Sequence, residues 1–201
     1  MFLSKLVLNP GSKQARTDLA SPYQLHATLC RAFVPKDQIS PRFLWRLEEI
    51  KTPQVLVQSP ESPNWEILFQ RFPGYFAQAP GSKPLPLEHL QPAQTLRFRL
   101  KANPTVTKQS KRHGLKEMAE QLEWLNRQGE KGGFRVLGAM VAQSERVKMH
   151  KHASGSPIVV QSVLYEGHLK IADLESFKRT LATGLGHAKA LGFGLLSVAK
   201  G

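Results

Sequence analysis

The sequence predicts an α+β chain built from two tandem ferredoxin-like (RRM-like) domains. Three observations lead there. The order strand, helix, strand, strand, helix, strand can be read over the second half and, with a poorer second helix, over the first. Between the halves, Phe72 to Pro92 is rich in Pro and Gly and has weak periodicity, as an irregular strand and a linker would. The chain has 201 residues, 41% of them hydrophobic and 21% charged, enough for two cores in domains of about 100 residues each. The boundary is placed near Pro92, giving domains 1–92 and 93–201.

The elements follow in order. Phe2 to Leu8 is a short apolar run of strand formers, stopped by Asn9-Pro10-Gly11. A basic loop with Lys13 and Arg16 comes next. Ser21, Pro22 and Gln24 then form a capping box with Pro at the first helical position. Leu25, Leu29 and Phe33 continue at helical spacing until Pro35. Phe43 to Leu47 and Gln54 to Gln58 read as strands, and Asn64 to Phe69 as a short helix. In the second half, Thr95 to Leu100 alternates cleanly, with Leu96, Phe98 and Leu100 on one face and Arg97, Arg99 and Lys101 on the other. Thr105 to Gly114 reads as a basic loop. Lys116 to Gln128 reads as a helix with Met118, Leu122 and Leu125 inward and Ala119 and Trp124 beside them. Strands are expected at Phe134 to Val141 and Ile158 to Tyr165, then a turn at Glu166-Gly167 into His168 to Ala172. Asp173 caps a helix reaching about Thr183, a glycine-rich loop runs from Gly184 to Gly194, and Leu195 to Ala199 forms the last strand.

Charge narrows the function. Lys and Arg number 28 against 15 Asp and Glu, a formal charge of +13. A surplus of this size favours a polyanionic partner, of which nucleic acid is the commonest. An anionic membrane surface is the alternative on charge alone, but no apolar run approaches the roughly 20 residues that span a bilayer, and no membrane partner is expected. The first ten residues are too short an apolar stretch for a secretory leader. The single cysteine, Cys30, excludes an intramolecular disulfide and fits a reducing cytoplasm.

Tyr23 and His26 are the residues best suited to chemistry. They stand three apart in the first turns of a helix and so share a face. Histidine titrates near neutrality and exchanges protons at physiological pH. The helix start carries a partial positive charge and free N–H groups that favour a nearby phosphate. The bland alternative is a surface histidine beside a half-buried tyrosine. Cations come from Arg16, from the cluster Lys108, Lys111 and Arg112, from Arg146, Lys148 and Lys151 before a Ser-Gly-Ser-Pro turn, and from Lys189. Such side chains give salt-dependent phosphate affinity rather than base reading. Gly184, Gly186, Gly192 and Gly194 let a backbone approach a phosphate closely, or simply pack a helix against a strand. The loop lacks the ending of a P-loop and the setting of a dinucleotide fingerprint. Around Gly192-Phe193-Gly194 it faintly echoes the aromatic strand of RNA-recognition modules. His150-x-His152 has metal-compatible spacing but no third ligand nearby, so no metal is expected. No close carboxylate pair supports a two-metal nuclease. Trp45, Trp65 and Trp124 are assigned to core.

Phe2-Leu3-Ser4-Lys5-Leu6, Asp18-Leu19, Tyr23-Gln24-Leu25-His26, Leu96-Arg97-Phe98-Arg99-Leu100-Lys101-Ala102-Asn103-Pro104, Val163-Leu164-Tyr165-Glu166-Gly167 and the stretch Gly184 to Ser197 occur in the order of one family. On these motifs the sequence resembles the CasE family, the CRISPR repeat-processing endoribonucleases of type I-E systems within the RAMP superfamily. The resemblance spans nearly the whole chain. It implies tandem ferredoxin-like domains that bind the hairpin of CRISPR precursor RNA and cut at its 3′ base. It implies no metal and no cofactor, with the 2′-hydroxyl attacking the adjacent phosphate to leave a 2′,3′-cyclic phosphate. His26 matches the family's catalytic histidine and Tyr23 its companion. Lys148 and Lys151 fall in the hairpin that carries RNA contacts, whereas His187 departs from the family pattern. The other subunits of the type I-E surveillance complex are the implied partners. Two rival readings remain. One is a non-catalytic RNA-binding subunit on the same fold. The other is a small-molecule enzyme, which leaves the charge unexplained.

Overall fold

The computed structural model describes residues 1–34, 39–48, 50–149 and 157–201. Two compact units divide it: Met1–Pro86 with Ala190–Gly192, and Leu87–Lys189 with Phe193–Gly201. The division falls at Pro86/Leu87, ahead of Pro92, because Leu87 and Leu90 already pack on the core of the second unit.

In the first unit, β1 (Phe2–Val7), α1 (Lys13–Ala20), α2 (Pro22–Cys30), β2 (Leu44–Glu48), β3 (Gln54–Ser59), α3 (Glu66–Arg71) and β4 (Gly81–Pro84) follow one another. The sheet order is β2-β3-β1-β4, antiparallel throughout. The last strand thus lies beside the first, as in a ferredoxin-like unit. Phe2 faces Ser59 and Val7 faces Gln54. Leu6, Leu8, Val55 and Val57 from the sheet close over Leu25 and Leu29 of α2, all essentially without solvent exposure. Burying a Leu or Val side chain stabilises by about 1.5–3 kcal/mol, which makes this packing the anchor of α2.

Two local signals set the helix starts. Ser21 Oγ accepts from the Gln24 amide, with Pro22 following at the first helical position. The stretch with Lys13 and Arg16 is a helix, not the loop expected from its charge. Ser12 Oγ accepts from the Ala15 amide, and Ala15 and Asp18 turn inward.

The second unit contains β5 (Thr95–Ala102), β6 (Thr105–Lys108), β7 (Lys111–Gly114), α4 (Met118–Lys131), β8 (Phe134–Met149), β9 (Ile158–Ile171), α5 (Leu174–Thr183) and β10 (Leu196–Lys200). Its sheet order, β10-β5-β9-β8, again sets the last strand beside the first, and β6 and β7 pair apart from it. Leu96, Phe98 and Leu100 enter the core as their alternation predicts. Asp173 caps α5, its carboxylate accepting from the Ser176 amide at 2.7 Å.

Three further expectations are corrected. Thr105 to Gly114 is a hairpin rather than a loop. Glu166-Gly167 is not a turn, because β9 runs straight through it and Gly167 pairs with both Ala139 and Phe98. A Cβ on Gly167 would run into the Gly138 carbonyl oxygen, where β8 bulges between Val136 and Gly138. In α4 the buried face is Gln121, Trp124, Leu125 and Gly129, while Met118 is exposed. Gln121 is tolerated inside because its Nε2 donates to the Leu115 carbonyl and to Ser144 Oγ.

Candidate active site and cationic surfaces

The helix α2 brings His26 to a half-buried position one turn after Tyr23. The imidazole lies against Phe43, ring centroids 5.0 Å apart and tilted by 31°. Its Nε2 is 3.8 Å from Cys30 Sγ. Its Nδ1 is buried and has no hydrogen-bond partner among the described residues. Burial pushes the His26 pKa below the ordinary 6.5, so the ring is neutral at pH 7. Burial likewise pushes the Cys30 thiol up, keeping it protonated. A neutral imidazole with an unengaged ring nitrogen can accept a proton and, once charged, return it.

Tyr23 is half-buried on the same helix, and no hydrogen bond joins it to His26. The helix start offers less to an anion than its sequence predicts. Pro22 has no N–H, and the Gln24 amide is taken by Ser21.

The orientation of α2 is fixed from behind by a residue to which composition and spacing assign no role. Asp18 is 1% exposed. Its Oδ1 accepts from Gln14 Nε2 at 2.9 Å and from Thr28 Oγ1 at 3.2 Å, and its Oδ2 accepts from the Tyr75 hydroxyl at 2.7 Å. Burial raises the Asp18 pKa, and the three donors and the nearby Arg31 charge act against that rise. Burial, with the same carboxylate, drives the Tyr75 hydroxyl far above its usual range. Thr28 thereby ties α2 to α1, two residues beyond His26.

The cations sort into outward-facing and engaged groups. Lys108 and Lys111 face each other across the end of the β6–β7 hairpin, with Arg112 opposite Thr107. Gln109 and Ser110 join them at φ +49° and +61°, the two left-handed residues of a type I′ turn. All three cations are exposed. Two lysines directly opposite repel each other, so the tip concentrates positive charge at some cost to the hairpin. Arg146 and Lys148 alternate on one exposed face of β8. Lys151 lies outside the described residues, as do His150 and His152. Arg16 is exposed but donates to the carbonyls of Pro10 and Gly11, closing its own loop. Lys189 donates to the Thr183 carbonyl at 2.6 Å, satisfying the end of α5. His187 joins this group from outside the set expected from sequence. Its pKa is lowered by burial, then by Arg112 and Lys189, so those three stand in one neighbourhood of the second unit.

The glycine loop is shaped by packing. Gly184, Gly186, Gly192 and Gly194 all have φ between +71° and +89°. A Cβ on Gly186 would meet the Trp124 ring at 3.0 Å and one on Gly192 the Trp45 ring at 2.8 Å. The amides of Gly184 and Gly194 are spent on the carbonyls of Thr180 and Lys101, so neither is open to a phosphate. Among the described residues, no three His, Cys, Asp or Glu side chains stand close enough to hold a metal ion. No helix among them is long and apolar enough to cross a membrane.

The chain matches the family model described as CRISPR associated protein over residues 1–200. It is 41% identical to the CRISPR-associated endoribonuclease Cse3 of Thermus thermophilus, across 99% of this chain and 100% of that one. It is 31% identical to the CRISPR system Cascade subunit CasE of Escherichia coli K12, with 99% of each covered. A solved structure of Thermus thermophilus Cse3, bound to an RNA representing a pre-cleavage complex, is similar with a TM-score of 0.86 at 41% identity, over 98% of each chain. Fold, strand order and full-length similarity agree: the chain belongs to the CasE family of CRISPR-associated proteins.

Proposed function

We propose that this protein is an endoribonuclease that binds the hairpin of a CRISPR repeat in precursor RNA and cuts at the 3′ base of that hairpin. The observation that carries the reading is His26: neutral through burial, with one ring nitrogen unengaged, near the start of a helix in a chain of charge +13. Relatives named as an endoribonuclease and as a Cascade subunit support the same activity and membership of a multisubunit surveillance complex.

In the mechanism, neutral His26 takes the proton of the 2′-hydroxyl. The 2′-oxygen attacks phosphorus, and the bond from phosphorus to the 5′-oxygen breaks. The leaving oxygen gains a proton, so the products are a 2′,3′-cyclic phosphate and a 5′-hydroxyl. Tyr23, one turn earlier, orients the phosphate or supplies that proton. A lysine or arginine shields the extra negative charge of the pentavalent transition state. No step requires a metal ion or a cofactor. Lys108, Lys111, Arg112, Arg146 and Lys148 hold the hairpin through its phosphates, and Lys151 belongs to the same basic stretch in sequence. The protein acts in the cytoplasm, where its one thiol stays reduced. Cleavage of a labelled repeat hairpin in excess EDTA, by wild type and His26→Ala, tests the reading.

A further inference from the structure

The imidazole of His26 has a neighbour on its own helix that the cleavage reading leaves without a role. Cys30 ends α2 four residues after His26, so the two side chains share a face. Its Sγ stands 3.8 Å from His26 Nε2, a distance at which the large sulfur atom still makes a hydrogen bond. Burial holds the thiol protonated, so it is neither a nucleophile nor a charge beside the ring. The thiol also hydrogen-bonds the Ser40 side chain, and Ser40 Oγ donates to the Pro41 carbonyl at 3.1 Å. Imidazole, thiol, hydroxyl and carbonyl thus form one chain of polar groups.

The last group gives that chain a direction. A carbonyl oxygen only accepts, so the Ser40 hydroxyl spends its proton on Pro41. Toward Cys30 the hydroxyl then offers a lone pair, which takes the S–H. The sulfur is left with lone pairs alone for His26, and these accept from Nε2–H. The opposite side of the ring agrees. Nδ1 is buried with no partner among the described residues, and a proton there would be a buried N–H without an acceptor. Bare buried N–H groups are rarer in proteins than under-satisfied acceptors. Both sides of the ring thus favour the tautomer with its proton on Nε2 and its lone pair on Nδ1.

We infer that Cys30 is a positioning residue for cleavage: its sulfur accepts from Nε2–H of His26, fixes the tautomer, and leaves Nδ1 as the nitrogen that takes the 2′-hydroxyl proton. This rests on the cleavage reading and deepens it by naming the nitrogen that acts as base. Phe43 supports the ring through its face and Cys30 through its edge. A base oriented by a third group is a general arrangement of proton-moving sites. Here the orienting group is neutral, so it steers the ring without a charge that would raise its pKa. When Nδ1 gains the proton, Nε2–H still donates to sulfur, and no proton leaves the thiol. Nδ1 is shielded in the free protein, so the bound RNA meets it by displacing part of its cover.

Nitrogen-15 NMR of the His26 ring reads the tautomer, and single-turnover cleavage of an end-labelled repeat hairpin reads its use. The variants are Cys30→Ala, which keeps a small apolar group, and Cys30→Ser, which keeps an acceptor. Wild type should show Nε2 protonated and Nδ1 bare at neutral pH. In Cys30→Ala the two ring-nitrogen signals should move toward each other as the tautomers mix. Its cleavage at saturating RNA should slow by about three- to tenfold, the worth of one weak hydrogen bond, with hairpin affinity unchanged. Cys30→Ser should regain part of the tautomer and part of the rate. A wild-type proton on Nδ1 overturns the proposal, and so does Cys30→Ala that cuts at the full rate. An unchanged spectrum in Cys30→Ala, with Cys30→Ser cutting no faster than Cys30→Ala, overturns it too, since the thiol would then merely fill space. If the spectra change as described but neither wild type nor variant ever cuts the hairpin, the cleavage reading fails and the assignment of the tautomer to Cys30 stands.

Discussion

The imidazole of His26 rests on Phe43 with ring centroids 5.0 Å apart, and this packing places a group that titrates near neutral pH beneath an apolar cover. The burial lowers its pKa below 6.5. A cleavage rate that depends on neutral His26 should therefore rise through a pKa below 6.5 and flatten by neutral pH. In Phe43→Ala, water reaches the ring, and both the rate profile and the NMR titration of His26 should move to higher pH. Stability follows the same proton. Between the lowered pKa and 6.5 the unfolded chain binds a proton that the folded one does not, so stability should fall as pH drops through that window. His26→Gln should flatten that part of the stability curve, read by chemical denaturation at several pH values.

Tyr75→Phe removes the hydroxyl that donates to Asp18 Oδ2 and leaves a buried carboxylate oxygen without that donor. A cost of about 1–3 kcal/mol is expected. Asp18 already has a raised pKa, so the folded state binds its proton first as pH falls. Its contribution to stability weakens as pH rises through the window between 3.8 and the raised value. Removing a donor to the charged form should raise that pKa further and extend the window upward. Thermal unfolding of wild type and variant between about pH 4 and pH 8 measures both effects.

Replacing Lys108, Lys111 and Arg112 together by alanine should weaken hairpin RNA binding and reduce its salt slope by about 0.7–0.9 for each phosphate no longer neutralised. The fold should be no less stable, because Lys108 and Lys111 repel across the hairpin. Filter-binding titrations at several salt concentrations, with a melting curve, check both halves of this expectation.

Gly192→Ala tests the packing role of the glycine loop. The position has φ +86°, and a Cβ would sit 2.8 Å from the Trp45 ring. The left-handed backbone alone costs an alanine about 1–2 kcal/mol, and the clash adds to it. A lower melting temperature is expected, with RNA affinity at room temperature kept wherever the protein remains folded.

What the sequence made legible was what local chemistry decides. Ser21 and Asp173 declared their helix starts because capping acts over three residues. The alternation from Thr95 to Leu100 declared its strand. The Tyr23/His26 spacing declared a shared helix face. Other features depend on residues distant in the chain. The α1 helix buries little beyond Ala15 and Asp18, so no apolar period announced it. Gly167 looked like a turn because the crowding that demands glycine comes from a bulge in β8, about thirty residues earlier. The Gln109–Ser110 turn lacks the Asn-Gly signature of its type, which hid the β6–β7 hairpin. At the candidate site, His26 and its place on α2 were legible. The cover on it by Phe43 and the Asp18–Tyr75 anchor behind its helix were not.

The most direct test of the account is single-turnover cleavage of an end-labelled repeat hairpin in excess EDTA, with wild type beside His26→Ala. The account predicts one cut at the 3′ base of the hairpin by wild type, a product ending in a 2′,3′-cyclic phosphate, and His26→Ala that binds the RNA but cuts at least about a hundredfold more slowly. Equal cleavage by both proteins would contradict the role of His26. Binding without cleavage by either would make the protein an RNA-holding subunit instead.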